Sequence, residues 1–247
     1  MKLVFKTLLK YYLKYITKLV LFVHRPTIIA IAGSTNKTFV KEEIKHVLEE
    51  KGMKVRANQN SFNTEIGLPL AVLDLPSGYN HYKKWLPTLY RSILSLWQKD
   101  FPLILILELG ASSRGDMKHL LSIIKPKISV ITDITQRYLE NFSDMNDMAD
   151  EYKTLIRKTK RDGQVIINCD NIKLRKMFKN IRARKQSFGF FEKCDWHIMD
   201  HERTEKGEKF HVEHNNKNIQ KEVDRFGIHH VYATTVGLII NEIFNGK

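Results

Sequence analysis

Thr27-Ile-Ile-Ala-Ile-Ala-Gly-Ser-Thr-Asn-Lys-Thr38 is the stretch on which the fold turns. A short β-branched apolar run leads into Gly33, then Lys37-Thr38, then a helical pattern. Strand, glycine turn, Lys-Thr and helix start, in that order, build a phosphate cradle. Backbone N–H groups point at the phosphates, the lysine adds a point charge, and the hydroxyl reaches Mg²⁺. Gly33, Ser34, Thr35, Asn36, Lys37 and Thr38 are therefore the candidate nucleotide contacts, with ATP and Mg²⁺ as the expected cofactors. Asn36 stands where such loops usually carry glycine. Asn tolerates positive φ better than most residues, so the loop can keep its course with altered geometry. The same residues also suit an ordinary strand-to-helix turn.

Outward from this stretch, strands and helices alternate. Lys41 to Lys51 has helical periodicity closed by Gly52, and Met53 to Ala57 suits a strand. Asn58 to Pro69 is a polar turn, Leu70 to Leu75 is apolar, and Pro76-Ser-Gly78 breaks the chain. His81 to Gln98 is helical, anchored by Tyr82, Trp85 and Trp97. Phe101 to Leu107 is a continuous apolar run, the mark of a strand buried on both faces of a parallel sheet. It ends at Glu108. In open α/β sheets ligands sit beyond the carboxyl ends of the strands, so a carboxylate there is well placed for a metal. Further strands are expected at Ile128 to Ile131 and Gln164 to Ile167, with helices at Met117 to Ile124 and Asp144 to Lys160 and a final helix from Gly227 to Phe244. Residues 180 to 222 are highly charged and predict short antiparallel strands. The fold class that follows is α/β: a doubly wound, mostly parallel sheet with a P-loop-type site and a small antiparallel excursion.

Residues 1–25 stand apart from the α/β domain expected over 26–247. Lys2, Lys6, Lys10, Lys14 and Lys18 recur every four residues and wind along one side of a helix. Its longest charge-free run, Leu19 to Val23, is far short of the roughly 20 residues that a spanning helix needs. An interfacial helix with lysines toward anionic headgroups fits this pattern, which places the chain in the cytoplasm, peripheral on the inner face of a membrane. Docking of the helix on its own domain or on a partner is the plainer alternative. The whole chain, 247 residues with 43% apolar and 28% charged, is globular in composition and carries a formal +14. That charge suits anionic partners. It is spread over many helices without a recognised nucleic-acid motif, so no nucleic acid is expected as a partner. Cys169 and Cys194 make no disulfide framework and are expected as free thiols.

Taken in order, these pieces resemble the central ATPase domain of the Mur ligase family, from about Ile28 to Ile240. Ala32-Gly-Ser-Thr-Asn-Lys-Thr38 is similar to that family's T-G-S-x-G-K-T loop. Ser61-Phe-Asn-Thr-Glu-Ile-Gly-Leu-Pro69 is similar to N-x-N-N-x-I-G-x-P, and Leu107-Glu-Leu-Gly-Ala111 through Gly115 to E-L-G-A-x-x-x-G. Lys125-Pro126, Val130-Ile-Thr-Asp133, Leu139-Glu140 with Phe142 and Ser143, and Gly163 to Asn171 resemble further family segments. The resemblance implies an ATP-dependent, amide-forming ligase of peptidoglycan precursor synthesis: a carboxylate is phosphorylated to an acyl phosphate, which an amine then attacks. It implies that Lys37 contacts phosphates, that Thr38 and Glu108 hold Mg²⁺, and that Asn63 lines the substrate side. Asp170, Asn171 and His229 would lie by the nucleotide.

Some positions depart from the family pattern. Tyr138 stands at the place of a metal-assisting histidine, and Ser61 replaces an asparagine. The family's carbamylated lysine falls near Tyr152, with Lys153 one position along as the catalytic candidate. The family also has an N-terminal domain for the UDP-sugar and a C-terminal domain for the incoming amine. The resemblance therefore implies that separate chains supply them, or that this chain is a degenerate, membrane-associated binding or regulatory module.

Overall fold

The computed structural model describes residues 3–59, 62–79, 81–137, 139–177 and 181–245. Its hub is β1 (Thr27–Ala32), paired in parallel with β3 (Ile104–Glu108) on one side and β4 (Ile128–Ile131) on the other. The short β2 (Val55–Ala57) adds beyond β3, while β5 (Gln164–Asn168) and then β6 (Arg184–Gly189) add beyond β4, all parallel. β7 (Trp196–Arg203) starts parallel to β6, and β8 (Glu208–His214) and β9 (Lys217–Val223) return antiparallel. The order is β2-β3-β1-β4-β5-β6-β7-β8-β9. The antiparallel excursion is thus an extension of the main sheet, and β6, expected within it, belongs to the parallel part.

Side chains alternate across a strand, and β1 shows what that does here. Ile29 and Ile31 point into one apolar layer; Ile28, Ala30 and Ala32 point into the other. The first layer is covered by α2 (Lys37–Glu50) and α8 (Ile228–Asn245). The second is covered by α1 (Leu3–His24), α3 (Gly67–Leu73), α4 (Tyr82–Leu94), α5 (Asp116–Leu120), α6 (Met145–Lys158) and α7 (Ile172–Met177). Every residue of α3 is buried, which accounts for the apolar run read before Pro76.

α1 forms as expected, but one face of it is docked on the domain. Leu9, Leu13, Thr17 and Val20 are buried. Lys10 pairs with Glu65, the Tyr12 hydroxyl donates to Leu89 O at 3.1 Å, and His24 Nε2 donates to Ser95 O at 2.8 Å. The opposite face, with Val4, Leu8, Tyr11, Tyr15, Leu19 and Phe22, is exposed. Among the described residues no helix is long and apolar enough to cross a membrane.

One expectation is overturned. Cys169 and Cys194 are joined in a disulfide, their Cα atoms 6.1 Å apart. Cys169 follows β5 and Cys194 precedes β7; the pairing of β5 with β6 and the turn after it bring them together. The spacing of 25 residues carries no hint of this.

Candidate functional site

The loop between β1 and α2 is held from below by the end of β4. Ser34 N donates to Asp133 O at 2.9 Å, Thr132 Oγ1 donates to Thr35 O at 2.6 Å, and Thr135 N donates to Ser34 Oγ at 3.0 Å. Gly33 has φ +142°, and a Cβ there would lie 2.1 Å from Thr132 Oγ1, so only glycine fits. Asn36 sits in the left-handed region, φ 64° and ψ 3°, and no side chain caps α2. The first-turn N–H groups of a helix have no intrahelical partner, and the helix dipole adds positive potential at the same end. The loop therefore presents donors and a positive field to an anion.

Lys37 Nζ folds back and donates to Gly33 O at 2.7 Å. Burial lowers its pKa, the negative charge of Glu108 opposes that shift, and Arg137 reinforces it. Thr38 is exposed on the first turn of α2. Glu108 stands opposite Ile31 in the β1–β3 register, so it lies at the carboxyl end of the strand beside the loop. It is buried. Lys41 Nζ lies 3.0 Å from its Oε1, but not in hydrogen-bonding geometry, and Oε1 accepts no hydrogen bond. A buried, acceptor-only oxygen with open lone pairs suits a hard divalent cation, so the residues fit Mg²⁺.

Lys41 and Asn58 also belong to this site, though no sequence motif marks them. Lys41 also donates to Asn58 O at 3.0 Å, and Asn58 Oδ1 accepts from Glu108 N at 2.9 Å. Lys41 lies one helical turn beyond Lys37, a spacing that puts both on one face and could have marked it. Asn58 carried no such signal.

A second cluster lies along the ends of β4 and β5. Asn171 Nδ2 donates to Asp133 Oδ1 at 2.6 Å and to Ile134 O at 2.9 Å. Its Oδ1 accepts from Lys173 N at 3.0 Å and Leu174 N at 3.2 Å, which caps α7. Asp170 accepts from Phe190 N at 2.9 Å, Phe191 N at 2.8 Å and the Tyr232 hydroxyl at 2.8 Å. Burial, then the bond to Asp170, raises the Tyr232 pKa. His229, in the first turn of α8, packs on the Phe39 ring with centroids 4.2 Å apart, which brings the start of α8 to the start of α2.

The structure thus gathers Gly33 to Thr38 with Glu108 and ties Asn171 to the loop through Asp133. Asn63 is set by its backbone, whose carbonyl accepts from Gly110 N at 3.0 Å just after β3. Lys153 does not join the cluster: its Nζ donates to Asp150 Oδ1 at 2.6 Å on an exposed side of α6. Tyr152 is the buried one, 2% exposed, so α6 runs without the one-residue shift that would turn Lys153 inward. Ser61 and Tyr138 lie outside the described residues. A hollow of about 730 Å³ lies by the strand starts at Thr27, Ile128 and Gln164, the end opposite the loop.

A mostly parallel sheet with a cation-bearing turn after its central strand and a buried carboxylate on the neighbouring strand defines a class: α/β domains whose binding edge lies at the carboxyl ends of the strands. Within that class the chain belongs to the Mur ligase family, its residues 88–240 matching the Mur ligase middle domain. It is 26% identical over 220 residues to the UDP-N-acetylmuramoyl-tripeptide–D-alanyl-D-alanine ligase of Buchnera aphidicola subsp. Baizongia pistaciae, covering 87% of this chain and 43% of that protein. The Bacillus subtilis ligase of the same name is 25% identical, covering 75% of this chain and 35% of that protein. The chain therefore spans less than half the length of these relatives. In fold it is similar to MurF ligase from Thermotoga maritima in complex with ADP, with a TM-score of 0.78, 21% identity, and coverage of 96% of this chain and 49% of that one.

Proposed function

We propose that this chain is the nucleotide-binding part of an ATP-dependent, amide-forming ligase of peptidoglycan precursor synthesis. One observation carries the reading: the Gly33–Asn36 turn, the Lys37 ammonium and the buried Glu108 carboxylate converge at the ends of two neighbouring strands. Lys37 would exchange its bond to Gly33 O for phosphate oxygens. Thr38 and Glu108 would hold Mg²⁺, with the Lys41 ammonium beside the Glu108 carboxylate. Asp170 and Asn171 would keep the nucleotide-side loops in place, with His229 packed on Phe39 where α8 meets α2, and Asn63 would face the substrate. Bound Mg²⁺-ATP would supply the phosphoryl group that activates a carboxylate toward an amine. The remaining substrate contacts would come from domains outside this sequence, closing over the site. Lys153 would contribute only after leaving Asp150. The outward stripe of α1 supports a location at the inner face of a membrane.

Titration of the protein with ATP, with and without Mg²⁺, tests the site. Lys37→Ala should abolish binding, and Glu108→Gln should weaken Mg²⁺-dependent binding more than metal-free binding. Tight binding that ignores Lys37→Ala would refute the assignment.

A further inference from the structure

The nucleotide site leaves unexplained the apolar surface of two adjacent helices. On α1, Leu8, Tyr15 and Phe22 are 65%, 62% and 69% exposed; on α4 and the 3₁₀ turn that follows it (Ser95–Trp97), Leu86, Tyr90 and Trp97 are 67%, 65% and 72% exposed. With the exposed Tyr11 and Leu19 on α1, and Ile93 and Leu94 on α4, these residues recur at intervals of three or four and so form one stripe on each helix. The stripes adjoin: the helices meet where Tyr12 bonds to Leu89 O at 3.1 Å and contacts Ser92 Oγ at 3.0 Å. These contacts occupy the flanks of the two stripes and leave their crests outward. Contiguous exposed apolar surface of this kind marks an interaction site.

We propose that this two-helix face docks the chain on an anionic lipid surface. For α1 the proposal rests on the peripheral location already inferred; α4 and its 3₁₀ turn are the new half of the surface. Charge selects the occupant. α1, α4 and the 3₁₀ turn contain no acidic residue, while Lys14 and Lys18 on α1 and Lys83, Lys84 and Arg91 on α4 give the pair a positive charge. The acid nearest α1, Glu65, is taken up by Lys6 and Lys10. A second copy packed face to face would set these cations against each other. Headgroup phosphates meet them, with Tyr15, Tyr90 and Trp97 at the depth where amphipathic rings settle.

The test is co-sedimentation of the full chain with vesicles of phosphatidylcholine alone and of phosphatidylcholine with phosphatidylglycerol. The native chain should bind the anionic vesicles and not the neutral ones, and added salt should weaken that binding. Two triple variants, Leu8→Ser/Tyr15→Ser/Phe22→Ser and Leu86→Ser/Tyr90→Ser/Trp97→Ser, should each bind about tenfold more weakly or worse, because each removes buried apolar area. Circular dichroism should show both variants folded, since all six side chains point outward. Native binding by the α4 variant alone would overturn the two-helix face and leave the α1 location standing. Failure of the native chain to bind anionic vesicles would overturn both. A native dimer that the variants turn into monomers, without vesicle binding, would assign the face to a second copy.

Discussion

Glu108 and Lys41 show how one residue's chemistry depends on its neighbour. Both are buried, and each supplies the other's counter-charge at 3.0 Å. A buried pair of this kind adds little net stability, yet removing one partner leaves a desolvated charge behind. Glu108→Gln should therefore lower stability by about 3 kcal/mol, and Glu108→Gln combined with Lys41→Met should recover most of that loss. Urea unfolding of the three proteins checks this; equal stability of the single and double variants would contradict it. The pair was half legible in sequence. Glu108 ends a continuous apolar strand, so its place at the carboxyl edge could be read. That Lys41 reaches it from α2 could not, because the contact depends on how the helix lies across β1 and β3. Asn36 shows the opposite case: its left-handed conformation follows from its side chain and its place before a helix.

At the scale of elements, β8 is fastened to its neighbours by Glu208. Its carboxylate accepts from Gly227 N at 2.7 Å and from His201 Nε2 at 2.8 Å, which links β7, β8 and the start of α8. Chiefly the Gly227 N–H holds its pKa low, with His201 helping and burial opposing. A depressed folded-state pKa gives stability that is fully present above the unfolded value, about 4.3, and is lost as pH falls through the folded value. Glu208→Gln should cost about 1–3 kcal/mol at neutral pH. The gap between variant and native protein should close in acid. Thermal melts from pH 7 to pH 3 measure it; a gap that persists unchanged at pH 3 would count against the linkage. α1 carries a lesson at the same scale. Its four-residue lysine spacing announced a helix, and the helix is there, but its apolar residues serve two faces. Periodicity locates apolar stripes; it does not say which one meets the domain.

Across the whole molecule, Asp170 joins the parallel and antiparallel parts. It sits after β5, holds the turn after β6 through Phe190 N and Phe191 N, and reaches α8 through Tyr232. Asp170→Ala would strip three donors of their acceptor and should cost about 3 kcal/mol or more, since bonds to a charged acceptor are the stronger kind. Limited proteolysis should then open the β7–β9 region before the β1–β5 part. Simultaneous loss of both parts would show that Asp170 does not mark the joint. The resemblance implies a place for Asp170 beside a nucleotide; its bracing bonds are a separate feature, which no spacing discloses because its partners lie 20, 21 and 62 residues away.

The alternating α/β order, the strand–turn–helix loop, the αL asparagine and the acidic end of β3 are all legible in the order of residues alone. These are local properties: side-chain branching, turn chemistry and burial on both faces set them within a few residues. It takes the packed fold to show that Lys41 pairs with Glu108, that Cys169 meets Cys194, that Lys153 faces away with Asp150, and which stripe of α1 is left in the open. Those outcomes depend on how separate helices and strands lie against one sheet, and that geometry is fixed by the summed packing of distant side chains rather than by any neighbour in the chain.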